Sequence, residues 1–240
     1  MRVGVYVDGY NLYYGGRAHC GRGIPGWRWL DVRALVVPYA GWSGAKLDRV
    51  VYCTARVSSS DSPSAAADQA IYLEALMSSK SVDVIEEGRY DSWAKEAPLV
   101  SVPGGSKTPA LLASTGTEKW DSSLPLRRSG ATILATVRKR EEKGSDVNVA
   151  THLLRDVLKG EVDAAIVVSN DSDLALPLKF ARAEVPVGTI NPQNNFLAGA
   201  LRGSATEGAG RHWWKQLHAD DFRRSQLPDP VGKYRRPTGW

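Results

Sequence analysis

Apolar residues along this chain fall into short β-branched runs separated by segments with a helical stripe. "RVGVYV" (Arg2 to Val7) reads as a first strand ending at Asp8. "RWLDVRALVVPYA" reads as a helix stopped by Pro38, and "KLDRVVYCTA" as a strand. In "SPSAAADQAIYLEALMSSK", Ser62 can cap and Pro63 can open a helix whose apolar face includes Ala70, Leu73 and Met77. "VDVIEEGRY" follows as a strand. From about residue 92 to 128 the rhythm breaks: Pro98, Pro103, Pro109 and Pro125, with several Gly and Ser, mark an insertion. Order returns with the strand "ATILATVRKRE", the helix "GSDVNVATHLLRDVLKG", the strand "VDAAIVVS", the helix "DSDLALPLKFARAE" and the strand "VPVGTI".

Strands alternating with helices predict an α/β fold, a three-layer α/β/α sandwich around a mainly parallel sheet. In such sheets functional groups gather beyond the carboxyl ends of the strands, near a topological switch point. Two strands end in acids by this reading, the first at Asp8 and the fifth at Asp171 and Asp173. A fourth acid opens a helix. Taking Asp146 as origin, Ala150 lies at about 40°, Leu153 at about −20° and Val157 at about 20° on the helical wheel, so Asp146 starts the stripe that faces the sheet. Each acid alone has a plain structural use: Asp8 in a turn with Gly9, Asp171 as a helix cap, Asp146 favouring the helix dipole. Aimed at one spot, the four would repel strongly unless cations held them, and an all-carboxylate donor set suits Mg²⁺ or Mn²⁺. Lys143, just before that helix, is a candidate phosphate contact, although "RKREEK" is more often a solvated run.

Composition sharpens the picture. At 240 residues the chain suits one good-sized domain. Cys20 and Cys53 are far apart and in no C-x-x-C pattern, which fits a reducing compartment and argues against a cysteine-built zinc site; His19, His152, His212 and His218 show no zinc spacing. Asp8 comes too early for a secretory leader and no run is long enough to span a membrane, so a soluble cytoplasmic protein is expected. The formal net charge is +5, and residues 211–240 carry seven Lys or Arg against three Asp, interleaved with Trp213, Trp214, Phe222, Tyr234 and Trp240. Basic groups among aromatics suit nucleic acid, and serve equally well as a solubilising tail. Trp27 and Trp29 are candidates for a homodimer surface, with core packing the commoner fate of such residues. No glycine-rich dinucleotide loop or P-loop is present, and Tyr10 stands where a phosphatase with an aspartyl nucleophile has its second acid.

Three blocks, "VYVDGYNLYY", "EEKGSDVNVATHLL" and "DAAIVVSNDSDLALPLKFA", together resemble the NYN domain, a PIN-like nuclease group that includes bacterial proteins of the LabA type. The resemblance runs from Arg2 to about Pro192. It implies a Rossmann-like α/β/α domain over residues 1–192, interrupted at 92–128, with residues 193–240 as a basic, Trp-containing tail. It further implies a metal-dependent ribonuclease, with Asp8, Asp146, Asp171 and Asp173 as catalytic and metal-binding acids and RNA as partner. Asn11 matches the Asn of the first motif, and Ser169 with Asn170 the turn before the acidic pair; these three are expected near substrate. The chain departs from the pattern at Asn170, where many members have Gly, and at His152, where many have an acid. His152 lies near 240° from Asp146 on the wheel, away from the site face. The alternative is a non-catalytic RNA-binding or protein-interaction module on the same fold.

Overall fold

The computed structural model describes residues 1–102 and 108–240; Pro103 of the predicted insertion lies outside them. The elements in chain order are β1 (Arg2–Asp8), α1 (Gly9–Cys20), α2 (Val32–Val36), β2 (Lys46–Ala55), α3 (Pro63–Ser78), β3 (Val84–Pro98), β4 (Val100–Ser101), β5 (Ala110–Leu111), β6 (Leu126–Ser129), β7 (Thr132–Lys143), α4 (Ser145–Leu158), β8 (Ala164–Val168), α5 (Ala175–Glu184), β9 (Val187–Asn191), α6 (Gly199–Arg202), β10 (Trp213–Gln216) and α7 (Ala219–Arg224). The chain divides into two compact units, residues 1–89 with 142–240 and residues 90–141.

The main sheet has the order β10-β9-β8-β1-β2-β3-β7-β6. The pairs β1–β2, β1–β8, β8–β9, β9–β10 and β2–β3 are parallel, and β6–β7 is antiparallel. The fold is α/β with a mainly parallel sheet between helical layers, as the alternation of patterns predicts. From β1 the chain steps outward through β2 and β3 on one side and later through β8, β9 and β10 on the other, so the switch point lies between β1 and β8.

Alternation along β1 shows how the layers are bonded. Val3, Val5 and Val7 enter one core with Trp29, Leu35 and Leu76, whereas Tyr6 enters the other with Leu153, Leu174 and Leu178. Trp27 and Trp29 both belong to the first core, so neither is available as a dimer surface. Cys20 and Cys53 are buried free thiols.

Three elements differ from the pattern reading. The segment "GYNLYYGGRAHC", to which the pattern reading assigns no element, is the helix α1. The helix expected from Arg28 to Ala40 shrinks to the five residues of α2, followed by a single tight turn through Val37–Tyr39 where Pro38 sits. The stretch 193–240, expected as a tail, packs into the first unit: β10 extends the sheet beside β9, and Leu217, Phe222, Leu227 and Val231 are buried in the first core. The second unit, residues 90–141, contains the insertion together with "ATILATVRKRE". Within it β4 and β5 pair, β6 and β7 pair, and guanidinium or ammonium groups sit over rings at Arg128–Trp120, Lys139–Trp93 and Arg140–Tyr90.

Candidate active site

The site is built where β1 and β8 end side by side. Asp8 closes β1, and its carboxylate caps α1 by accepting the Asn11 N–H at 3.0 Å on Oδ1. Ser169, the first residue past β8, is buried and donates its hydroxyl to the other Asp8 oxygen at 3.0 Å. The same Ser169 oxygen accepts the Asp171 N–H at 3.0 Å. One hydroxyl therefore ties the end of one strand to the loop after its neighbour. Asp171 in turn caps the short turn Ser172–Leu174 by accepting the Asp173 N–H.

The third acid arrives on α4, which packs in the second core with Leu174 and α5. Gly144, at φ +102°, turns the chain out of β7, and α4 begins at Ser145 with Asp146 in its first turn. Of the stripe the wheel assigned to the sheet, Leu153 and Val157 are buried and Ala150 packs partly buried beside them, joined by the buried Val149, and this brings Asp146 to the sheet edge. One carboxylate oxygen each from Asp8, Asp146 and Asp171 lies within 4.8 Å of the others. Asp173, expected with them, is exposed and outside that group. Its influence is a weak charge contribution at Asp146.

Burial and crowding set the electrostatics. Asp8 is 3 % exposed, and burial pushes its pKa up from 3.8 to about 6; the hydrogen bonds from Asn11 and Ser169 oppose that rise, and Asp146 adds to it. Asp146 is raised first by burial and next by Asp171, then by Glu142 and Asp173. Burial, reinforced by the charge of Asp8, holds the Tyr52 hydroxyl and the Cys53 thiol protonated, Cys53 at about 12. Neither is a nucleophile at neutral pH.

The remaining expected residues form a scaffold around the acids. The Asn11 side-chain oxygen accepts N–H groups from Asn170 and from the Gln193 amide, each at 3.1 Å. The Asn170 side chain donates to Asn195 and to the Phe196 carbonyl and accepts the Ala198 N–H. These amides fasten the 192–198 loop to the site, so Asn11, Ser169 and Asn170 position rather than project. Lys143 is exposed at the end of β7. His152 lies off the site, with Nε2 3.0 Å from Glu86 and Nδ1 3.4 Å from Arg49. Glu142 was not singled out in the sequence; its carboxylate accepts the Ser145 N–H and hydroxyl, capping α4 beside Asp146. Its place in the charged run "RKREEK" hid it.

No known family profile matches the chain. The chain is similar to 6-hydroxy-3-succinoylpyridine 3-monooxygenase HspA of Pseudomonas putida, at 28 % identity over 99 % of this chain and 73 % of the relative. Among solved structures it is similar to a protein of unknown function from Vibrio parahaemolyticus, at a TM-score of 0.44 and 14 % identity, over 92 % of this chain and 94 % of the other.

The similarity to a monooxygenase along nearly the whole chain corrects the expected activity. A metal-dependent ribonuclease hydrolysing phosphodiester bonds, and the nuclease and hydrolase assignments that go with it, are not what the named relative does. The physical reason the sequence misled is that a cluster of acids at a switch point states where reactants meet and not which bond changes. Among the described residues no helix is long and apolar enough to cross a membrane.

Proposed function

We propose that this chain is an enzyme of the monooxygenase kind, acting on a hydroxylated nitrogen heteroaromatic ring at the pocket of Asp8, Asp146 and Asp171, on an α/β/α domain of NYN type. The observation that carries the reading is the similarity to a hydroxypyridine monooxygenase across 99 % of the chain, joined to acids that converge at the sheet's switch point.

The overall change would convert a ring C–H to C–OH with one atom of O₂ and reduce the other to water, with a hydride from a donor of the reduced nicotinamide class and one solvent proton completing the balance. The chain's own part concerns protons and position. A carboxylate with a pKa near 6 is a stronger base than an ordinary one and is still mostly ionised at neutral pH, so Asp8 suits removal of the ring hydroxyl proton. That ionisation loads electron density onto the ring carbons, which favours attack on oxygen. Ser169 holds the Asp8 carboxylate in place, and its burial keeps bulk water from it.

The donor set also fits Mg²⁺ or Mn²⁺, because three carboxylates offer oxygen alone and no histidine joins them among the described residues. A bound divalent cation would be held by Asp8, Asp146 and Asp171, would take Asp8 out of the base role, and would itself favour the ionised ring oxygen through its positive charge. The test is oxygen uptake by the purified chain with 6-hydroxy-3-succinoylpyridine and a reduced nicotinamide, with and without Mn²⁺. Substrate-dependent uptake above the nicotinamide-only rate is expected. Uptake indifferent to substrate in every cation condition would refute the reading.

A further inference from the structure

On α5 and α6, with the loop after α6, lies an open cleft of about 340 Å³ lined by Ala175, Leu176, Lys179, Arg182, Ala200, Gly203 and Glu207. Its volume falls in the range of small-molecule sites. Arg182 is the unusual member. Only 3 % of it is exposed, yet its guanidinium is poorly supplied with acceptors. One terminal nitrogen donates to the Leu201 carbonyl and, at 3.4 Å, to the Thr189 hydroxyl, while Nε has no partner. Glu207 acts on it only through longer-range charge, and burial outweighs that influence, lowering its pKa.

A buried guanidinium is normally matched by a carboxylate, since its desolvation is costly otherwise. Here the backbone is shaped to it as well. Gly203, at φ +56°, lies so close that a Cβ there would stand 2.7 Å from the guanidinium carbon. The fold thus spends a glycine and a buried cation on a position that no carboxylate hydrogen-bonds. Lys179, one turn earlier on the same helix, adds a second positive charge to the cleft, and Glu207 cancels one. The balance is a single positive charge, which matches a monoanion better than a doubly charged phosphate. The apolar part of the lining matches a hydrocarbon or ring.

We propose that the α5–α6 cleft binds a small apolar monocarboxylate, its carboxylate held by Lys179 and Arg182 and its apolar part laid on Ala175, Leu176 and Ala200. A planar carboxylate suits the forked donors of a guanidinium. The site stands on the cleft's own residues, whatever reaction the acid pocket performs.

Titration of the full chain with benzoate, followed by amide NMR, tests it without turnover. Saturable shifts confined to Ala175, Ala200, Gly203 and their neighbours are expected, with inorganic phosphate binding at least about tenfold more weakly. Lys179→Gln should weaken benzoate by about tenfold, the effect of one charge-assisted hydrogen bond, and Arg182→Gln should abolish saturation. If Arg182→Gln does not fold, Leu176→Glu, an exposed position that sets a like charge against the ligand, should also abolish it. Absence of saturable shifts, shifts located elsewhere, shifts indifferent to Lys179→Gln, or phosphate binding as tightly as benzoate would each overturn the proposal.

Discussion

Asp8 does two jobs with one carboxylate, and its titration separates them. One oxygen caps α1 through Asn11 and the other is held by Ser169, yet burial still lifts its pKa from 3.8 to about 6. Because the folded value lies above the unfolded one, the folded state holds a proton the unfolded state has lost, and that contribution is complete below pH 4 and gone once pH passes about 6. With chelator present, stability should therefore fall by about 3 kcal/mol between pH 4 and pH 7, the free energy of roughly two pKa units. Asp8→Asn should flatten that part of the profile. Thermal melts across the range decide it, and an equal slope in both proteins would contradict the assigned pKa. Ser169 is the second residue-scale test. Removing its hydroxyl takes a donor from Asp8 and an acceptor from the Asp171 N–H, so Ser169→Ala should cost about 1–3 kcal/mol of stability. In the oxygenation assay it should lower kcat by about 10–100-fold with little change in KM, as loss of a positioning partner does. A change in KM alone would place Ser169 on substrate instead. At this scale Asp8, Asp146 and Asp171 were legible in the sequence, because strand ends and helix stripes follow from residue spacing. Asp173 was not separable from Asp171 by pattern, since the two differ only in which way a short turn points them.

Elements were legible where one face is buried against the sheet. The strands β1, β8 and β9 are buried along nearly their whole length and β2 over its second half, with β8 a pure run of Ala, Ile and Val, a signal that survives without knowledge of their neighbours. The helix α1 was not. Its sequence holds two adjacent glycines and three tyrosines, and what stabilises it is external: the cap from Asp8 and the close approach of its glycines to other backbone and rings. A Cβ on Gly15 would stand 2.1 Å from the Pro192 carbonyl oxygen, and one on Gly16 would stand 2.7 Å from the Trp27 ring. Gly15→Ala raises helix propensity by about 1 kcal/mol yet should destabilise the protein by about 1–3 kcal/mol, because overpacking against fixed backbone outweighs propensity. Denaturant unfolding measures the sign. A stabilised Gly15→Ala protein would show that α1 does not press on the 192–198 loop.

For the whole molecule, the misleading signal was the C-terminal mixture of basic and aromatic residues. Much of that charge is answered within the same stretch: Arg224 pairs with Asp221, and Arg223 and Arg236 lie 3.7 Å from Asp220 and Asp229. The apolar residues between them are core, and charge counting cannot show which aromatics turn inward. Deleting residues 211–240 would remove Leu217, Phe222, Leu227 and Val231 from the first core. Each such burial contributes about 1.5–3 kcal/mol against a total stability of about 5–15 kcal/mol. The truncated chain should lose its cooperative thermal transition, and a protein that still melted sharply would show the segment to be an appendage. The reaction itself is tested most directly by mass spectrometry of the product formed under ¹⁸O₂ from a hydroxylated pyridine and a reduced nicotinamide, in the wild type and in Asp171→Asn. One ¹⁸O atom per product molecule is predicted for the wild type, with formation at least about 100-fold slower in the variant, which loses one of the three carboxylates that would hold the cation. Product carrying no label, or labelled product formed equally fast without Asp171, would contradict a monooxygenase centred on these three acids.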